Sequence, residues 1–437
     1  DAAGRILLSR VGQVLANAAV VMVVAQTLGP TGQGHYSLTV AVTQLAAALL
    51  AGGLGLAAVP PLRQDRVSGR RLVLAQLVWT AAMVGVLLVA AAATLGGSAA
   101  RFLAAQLGWE RGFGFLVAGA AAGLLTYEIF SYDLLARGRV VVGAVINGVR
   151  ALGHLVVVAA IGLLGVLSFG LAVGAFALAQ ALGAVTLLVV VLREIRRPRS
   201  TPPMRATAAD EPLPADLGRR PLGSLISWCL SRGWVGQLSA VAYFLLLRVD
   251  QGLLVHFRDA AEVGIYSVAV YVGEMLWLLP GAMTPLLVHT SAGSAADPLR
   301  DLTASRAARA GFLITGAVAI PLALLADPLL TLLAGGAYAG SAPALRALLP
   351  GIVAFAPAAV LAGDFIGRGK PHWNTQASLL TVAINVAIGL VLIPRYGAVG
   401  AAWASSVAYV IGATVMVARF RQATGLRLRT FLRRRID

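Results

Sequence analysis

Residues 382–402 read VAINVAIGLVLIPRYGAVGAA: an uncharged run from Val382 to Ile393, a break at Pro394-Arg395-Tyr396-Gly397, and a second apolar run opening at Ala398. The two runs belong to windows at 374–394 and 397–418, each close to the roughly 20 residues that cross a bilayer core as helix. Pro and Gly at the break stop one helix and turn the chain into the next. The segment therefore reads as two membrane spans joined by a tight turn.

The rest of the chain has the same character. Of 437 residues, 59% are hydrophobic and 12% charged, with a mean hydropathy of +0.83; a soluble domain carries about a quarter charged residues. Lipid is the solvent that this composition requires. Further windows fall at 6–28, 34–59, 72–96, 113–136, 140–165 and 170–192, then at 223–247, 262–290, 310–333 and 343–366. The expected fold is all-α integral membrane, about twelve transmembrane helices in two six-helix lobes.

A net charge of +17 would point to nucleic acid if the cations formed one patch on a soluble fold. Here they punctuate apolar spans, and nucleic acid is not an expected partner. With the N-terminus inside, 27 of the 35 basic residues fall on the cytoplasmic side, so both termini are predicted cytoplasmic in the inner membrane. Segment 193–222, rich in Arg and Pro, reads as a basic linker and topological stop, with attraction to lipid headgroups an added role. The predicted organisation is an N-terminal lobe 1–192, the linker 193–222, a C-terminal lobe 223–418 and a basic tail 419–437. The chain opens at Asp1 without methionine, which reads as a trimmed start. Cys229 is the single cysteine, which excludes an intramolecular disulfide and a cysteine metal cluster.

The halves repeat. An offset of 230 places Gly34-His35-Tyr36-Ser37 on Gly264-Ile265-Tyr266-Ser267, and one more residue places Asp133, Arg137, Gly138 and Arg139 on Asp364, Arg368, Gly369 and Lys370. Duplication of a six-span unit implies two bundles about an axis along the membrane normal, an arrangement typical of transporters.

Leu28-Gly29-Pro30 with Gly34-x-Tyr36, Arg248-x-Asp250 before Val263-Gly264-Ile265-Tyr266-Ser267, and Leu392 through Ala402 together resemble the polysaccharide (Wzx-type) flippase branch of the multidrug, oligosaccharidyl-lipid and polysaccharide (MOP) exporter superfamily. The resemblance implies a MATE-like fold, alternating access, and export of an undecaprenyl-pyrophosphate-linked oligosaccharide from the inner to the outer leaflet for cell-surface polysaccharide. It also implies a monomer working beside a polysaccharide polymerase or glycosyltransferases. Related lipid II flippases usually have two further helices, which places that branch second. The plain reading of Gly29, Pro30, Gly32 and Gly34 is a turn at the outer surface, with Tyr36 at the interface.

Ionisable groups within spans cost at least about 2.5–3.5 kcal/mol and usually face a bundle interior or water. Glu128, Arg150, His154, Arg232 and Glu274 lie near mid-depth. One reading is structural: Glu128 pairs with Arg150 and Glu274 with Arg232. The other follows helical spacing. Arg10, Gln13 and Asn17 form one stripe on the first span, and Arg150 and His154 share a face, as suits helices lining a hydrated cleft. In the resembled family the first and seventh spans border the cavity, which puts Arg10 and Arg232 on its wall, with Ser227, Ser231 and Tyr243 adding hydroxyls. The predicted substrate-binding set is Arg10, Gln13, Asn17, Arg150 and Arg232. Glu128, His154, Glu274, Arg248 and Asp250 are the predicted coupling or gating set. Asp133 with Arg137, and Asp364 with Arg368, read as interfacial salt bridges.

Arginines in these spans favour an anionic cargo over the organic cations of a cation-coupled multidrug exporter, the alternative within the superfamily. A membrane glycosyltransferase would need an acidic metal-binding cluster or a large catalytic loop, and neither is present. No nucleotide-binding motif or cofactor signature appears, so a transporter is expected rather than an enzyme, with H+ or Na+ coupling left open.

Overall fold

A computed structural model of the chain describes residues 2–196, 213–278, 280–281 and 298–425. Most of the expected linker, about the last third of the eighth span and the end of the basic tail lie outside these residues. The described elements are α-helices: α1 (Ala2–Ala51), α2 (Leu54–Arg63), α3 (Gly69–Ala93), α4 (Gly97–Leu107), α5 (Phe113–Ala136), α6 (Val140–Leu163), α7 (Phe169–Arg196), α8 (Leu222–Phe257), α9 (Ala260–Glu274), α10 (Pro298–Leu324), α11 (Ala326–Ala334), α12 (Ser341–Gly367) and α13 (His372–Thr424), with short 3₁₀ turns between.

Nine of these are long and apolar enough to cross a membrane among the described residues. Two are double. α1 breaks at Gly29 (φ 67°) before Pro30, and α13 breaks at Gly397 (φ 53°) three residues after Pro394, so each contains two spans. Apolar residues remain exposed on the spanning helices, such as Val156 at 65% and Leu182 at 59%, as a lipid-facing surface requires. The protein is an all-α multi-pass membrane protein.

Contacts divide the chain into two units. Unit 1 holds Asp1–Leu28 and His35–Val241; unit 2 holds Gly29–Gly34 and Ala242–Asp437. In unit 1, α5 packs against α2, α3 and α7, around a core containing Leu62, Leu72, Leu125, Phe130 and Leu187. Leu217 belongs to the same core, and Arg71 holds the neighbouring backbone by donating to the carbonyls of Gly218 and Arg220. Asp216 pairs with Arg220 at 3.0 Å, and that hydrogen bond holds its carboxyl below the usual range.

In unit 2, α12 packs against α9, α10 and α13 and has the most buried face. The two glycines matched by the 230-residue repeat meet there. A Cβ on Gly34 would lie 1.7 Å from the Ala260 carbonyl oxygen, and one on Gly264 would lie 1.9 Å from that of Pro30. Only a residue without Cβ permits that backbone contact.

Candidate functional site

The polar groups of unit 1 converge on Arg150 of α6. Asn147, one turn earlier, accepts from Arg150 Nε at 3.1 Å and Nη2 at 2.5 Å. Asn147 Nδ2 in turn donates to Gln13 Oε1 of α1 at 2.8 Å. Arg150 Nη1 donates to Gln180 Oε1 of α7, and the guanidinium stands 5.4 Å from the Tyr127 ring centroid on α5. A Cβ on Gly183 would lie 2.5 Å from Arg150 Cδ, so the bare backbone of α7 makes room for the arginine stem.

Every hydrogen-bond partner of Arg150 is therefore a neutral amide. Among the described residues no carboxylate pairs with it. The expected Glu128–Arg150 ion pair is not formed: Glu128 Oε1 instead accepts from Gln237 Nε2 of α8 at 2.9 Å, and the same nitrogen donates to the Ala48 carbonyl at 2.5 Å. A half-buried cation held only by dipoles keeps most of its charge available to an anion.

His154, one turn beyond Arg150, is buried. Its Nε2 lies 3.5 Å from the Tyr36 hydroxyl, and its ring packs on Phe176. Tyr36, expected at the membrane interface, is 4% exposed and packed beside this histidine. Gln13 joins the Arg150 cluster. Arg10 is exposed and Asn17 half-buried, and neither belongs to the cluster's hydrogen bonds. Arg232 is exposed on α8, 6.0 Å from the Trp228 ring centroid.

Unit 2 carries a separate arrangement. Arg248 donates to both Glu274 oxygens, at 2.7 and 3.0 Å, and lies 5.4 Å from the Tyr271 ring centroid. The expected Glu274–Arg232 pair is thereby replaced by Glu274–Arg248, and Arg248 is committed to Glu274 rather than Asp250. Asp250, 1% exposed, accepts from Tyr266 at 2.5 Å, Ser405 at 2.8 Å and the Gln251 backbone N–H at 2.8 Å. Asn385 Nδ2 donates to Ser405 at 3.2 Å, while among the described residues Asn385 Oδ1 and the Gln251 amide have no hydrogen-bond partner.

At the repeated Asp–Arg positions, Arg368 binds Asp364 and Asp301, each at 2.5 Å, as the salt-bridge reading expects. Asp133 adjoins Gln76 of α3, with Arg137 near enough to act on its charge. Among the described residues no three His, Cys, Asp or Glu side chains converge as a metal site. The single carboxylate at Asp250, with hydroxyl and amide oxygens around it, suits a proton or a monovalent cation.

Asn147, Gln180, Gln237, Ser405 and Asn385 were not among the residues selected from sequence. Asn147 had a signal, since it precedes Arg150 by three and shares its face. The others come from different helices, and only packing brings them in.

Comparison with known proteins agrees with this architecture. The chain is similar over 98% of its length to a structure of the lipid II flippase MurJ in an inward closed conformation (TM-score 0.73, 11% identity, 89% of that chain). An inward-facing multidrug-resistance MATE family transporter of the MOP superfamily aligns over 94% of both chains (TM-score 0.70, 16% identity). The fold is that of the MOP transporters. A mutant of the Vibrio cholerae MATE transporter VcmN aligns over 99% of this chain and 98% of its own (TM-score 0.65, 14% identity). The family profile of lipid II flippase MurJ matches residues 280–434. No curated protein matches by sequence.

Proposed function

We propose that the chain is a flippase for a polyprenyl-pyrophosphate-linked saccharide, moved from the inner to the outer leaflet by alternating access. The observation that carries this reading is Arg150, a half-buried guanidinium held by Asn147 and Gln180 with no carboxylate partner among the described residues. Its planar fork suits phosphate oxygens and stays charged when partly dehydrated. The polyprenyl tail can stay in lipid and the sugar in water, so the charged junction is the part of the cargo that needs a protein partner at mid-depth. Arg10, Asn17 and Arg232 are assigned to the path of the same cargo. Asp250, with Tyr266, Ser405 and Asn385, is the assigned place for a coupling H+ or Na+, and Glu128, His154 and the Arg248–Glu274 pair are the remaining groups whose charge can change with state.

Two cargoes share this junction. The sequence motifs point to an undecaprenyl-pyrophosphate oligosaccharide. The MurJ profile over residues 280–434 favours lipid II, which sequence reading had placed second on helix number. A multidrug exporter of organic cations is the reading that an uncompensated Arg150 opposes.

Binding to the purified full chain tests the proposal. A fluorescent polyprenyl-pyrophosphate saccharide should bind, a polyprenyl glycoside without the pyrophosphate should not compete, and Arg150→Gln should lose roughly tenfold or more in affinity. Equal binding of the glycoside, or unchanged affinity in Arg150→Gln, removes the proposal. Lipid II and an oligosaccharide pyrophosphate used as separate competitors distinguish the two cargoes.

A further inference from the structure

The repeat places Lys370 on Arg139, and the two halves satisfy that cation differently. In unit 1, Arg139 pairs with Glu194 near the end of α7 at 3.1 Å. In unit 2, Lys370 is exposed in the turn between α12 and α13, and what it meets is a ring: its Nζ lies 4.5 Å from the Trp373 ring centroid. A second cation approaches the same ring. Arg419, near the end of α13, has its guanidinium carbon 5.9 Å from that centroid and donates from Nη1 to Gln376 Oε1.

The carboxylates at this end of unit 2 are already in use. Asp364 and Asp301 both bind Arg368, and among the described residues no ion pair joins a carboxylate to Lys370 or Arg419. Two like charges against one indole repel each other, and an exposed cation–π contact is too weak to be the reason for gathering them. A bound anion removes the conflict.

The position of the cluster narrows the choice of anion. Spanning helices end at Gly367 and Thr424, and one begins at His372, so these side chains lie where helices meet the headgroups, the level at which Trp is favoured. Basic pockets between spans suit anionic headgroups, and the arginine distribution puts this end on the cytoplasmic side, whose leaflet carries them.

We propose that Lys370, Trp373 and Arg419 form a site for the phosphodiester headgroup of an anionic phospholipid of that leaflet. Lys370 and Arg419 take the phosphate oxygens, with Arg419 oriented by Gln376, and the Trp373 ring lies along the glycerol backbone. Unit 1 lacks the site, because Glu194 neutralises Arg139 and Val142 stands at the position of Trp373. The ligand is a lipid of the membrane, and the site does not depend on what the protein transports.

Phosphatidylglycerol retained by the delipidated full chain in detergent, counted by native mass spectrometry, tests the site. One phosphatidylglycerol should be held at concentrations where phosphatidylcholine is not. Lys370→Gln and Arg419→Gln should each weaken it about fivefold, and the double variant at least about twentyfold, with unchanged size-exclusion profiles. Lys370→Gln, at an exposed turn, decides the matter if Arg419→Gln fails to fold. Arg306→Gln, which removes an exposed cation of α10, should leave binding as it was. Inorganic phosphate and a polyprenyl-pyrophosphate saccharide, added separately at equal concentration, should not displace the phospholipid. Equal retention of phosphatidylcholine, unchanged binding in Lys370→Gln, equal loss in Arg306→Gln, or displacement by either competitor overturns the proposal.

Discussion

Arg150 is expensive to bury and, among the described residues, is paired with no carboxylate, which makes its surroundings the sharpest test at the scale of single residues. Arg150→Lys keeps the charge but loses the two-nitrogen fork, so cargo affinity should fall by about tenfold while the fold survives. Retained affinity in the lysine variant would mean that charge alone is read. Arg248 and Glu274 make the opposite prediction. Their side chains are 13% and 18% exposed, and leaving one partner of a buried pair costs about 3–5 kcal/mol, of which this partly exposed pair should show a fraction. Arg248→Glu and Glu274→Arg should each lower the melting temperature in detergent, and the double exchange should recover much of it. Recovery by exchanging Arg232 with Glu274 instead would contradict the geometry. The charged residues of these sites were legible in sequence because an ion in an apolar span stands out. Their partners were not. Hydropathy and periodicity give the depth and face of Glu128 or Glu274, but the rotation of neighbouring helices decides that Gln237 and Arg248 meet them, and a neutral amide on another helix, such as Gln180 or Gln237, carries no sequence signal of its own.

Helical elements were legible where apolar length and Gly-Pro punctuation coincide, as at Gly29-Pro30 and Pro394 to Gly397, both of which are breaks inside otherwise continuous helix. Gly397 also shows what sequence left out. A Cβ there would lie 2.2 Å from Glu262 Oε2, because Glu262 reaches across from α9 to accept the Ala398 N–H at 2.7 Å. That bond satisfies one of the donors exposed where the second span of α13 begins. Gly397→Ala therefore combines strain at positive φ with loss of this contact, and should cost about 1–3 kcal/mol, read as a lower melting temperature. A melting temperature equal to that of the native protein would show that the break tolerates a side chain. The meeting of Gly34 with Gly264 was foreshadowed only as a repeat; that matched glycines touch is a consequence of folding the duplicated units, which an offset cannot express.

At the scale of the molecule, the distribution of arginines predicts orientation. Tags near Thr207 and at the C-terminus should be protected from labelling outside the cell, and a cysteine between Ala334 and Ser341 should be labelled; external reactivity near Thr207 would sink the span map. The chain shares its fold both with a lipid II flippase and with multidrug-resistance transporters, so architecture alone leaves the substrate open, and the proposed role of Arg150 is what separates the two readings. The most direct measurement is translocation in vesicles reconstituted with the full chain. The account predicts that native protein moves a fluorescent polyprenyl-pyrophosphate saccharide between leaflets, that Arg150→Gln reduces this at least about tenfold with equal incorporation, and that an organic cation is not moved. Unimpaired translocation by Arg150→Gln, or export of the cation in place of the pyrophosphate-linked lipid, would contradict it.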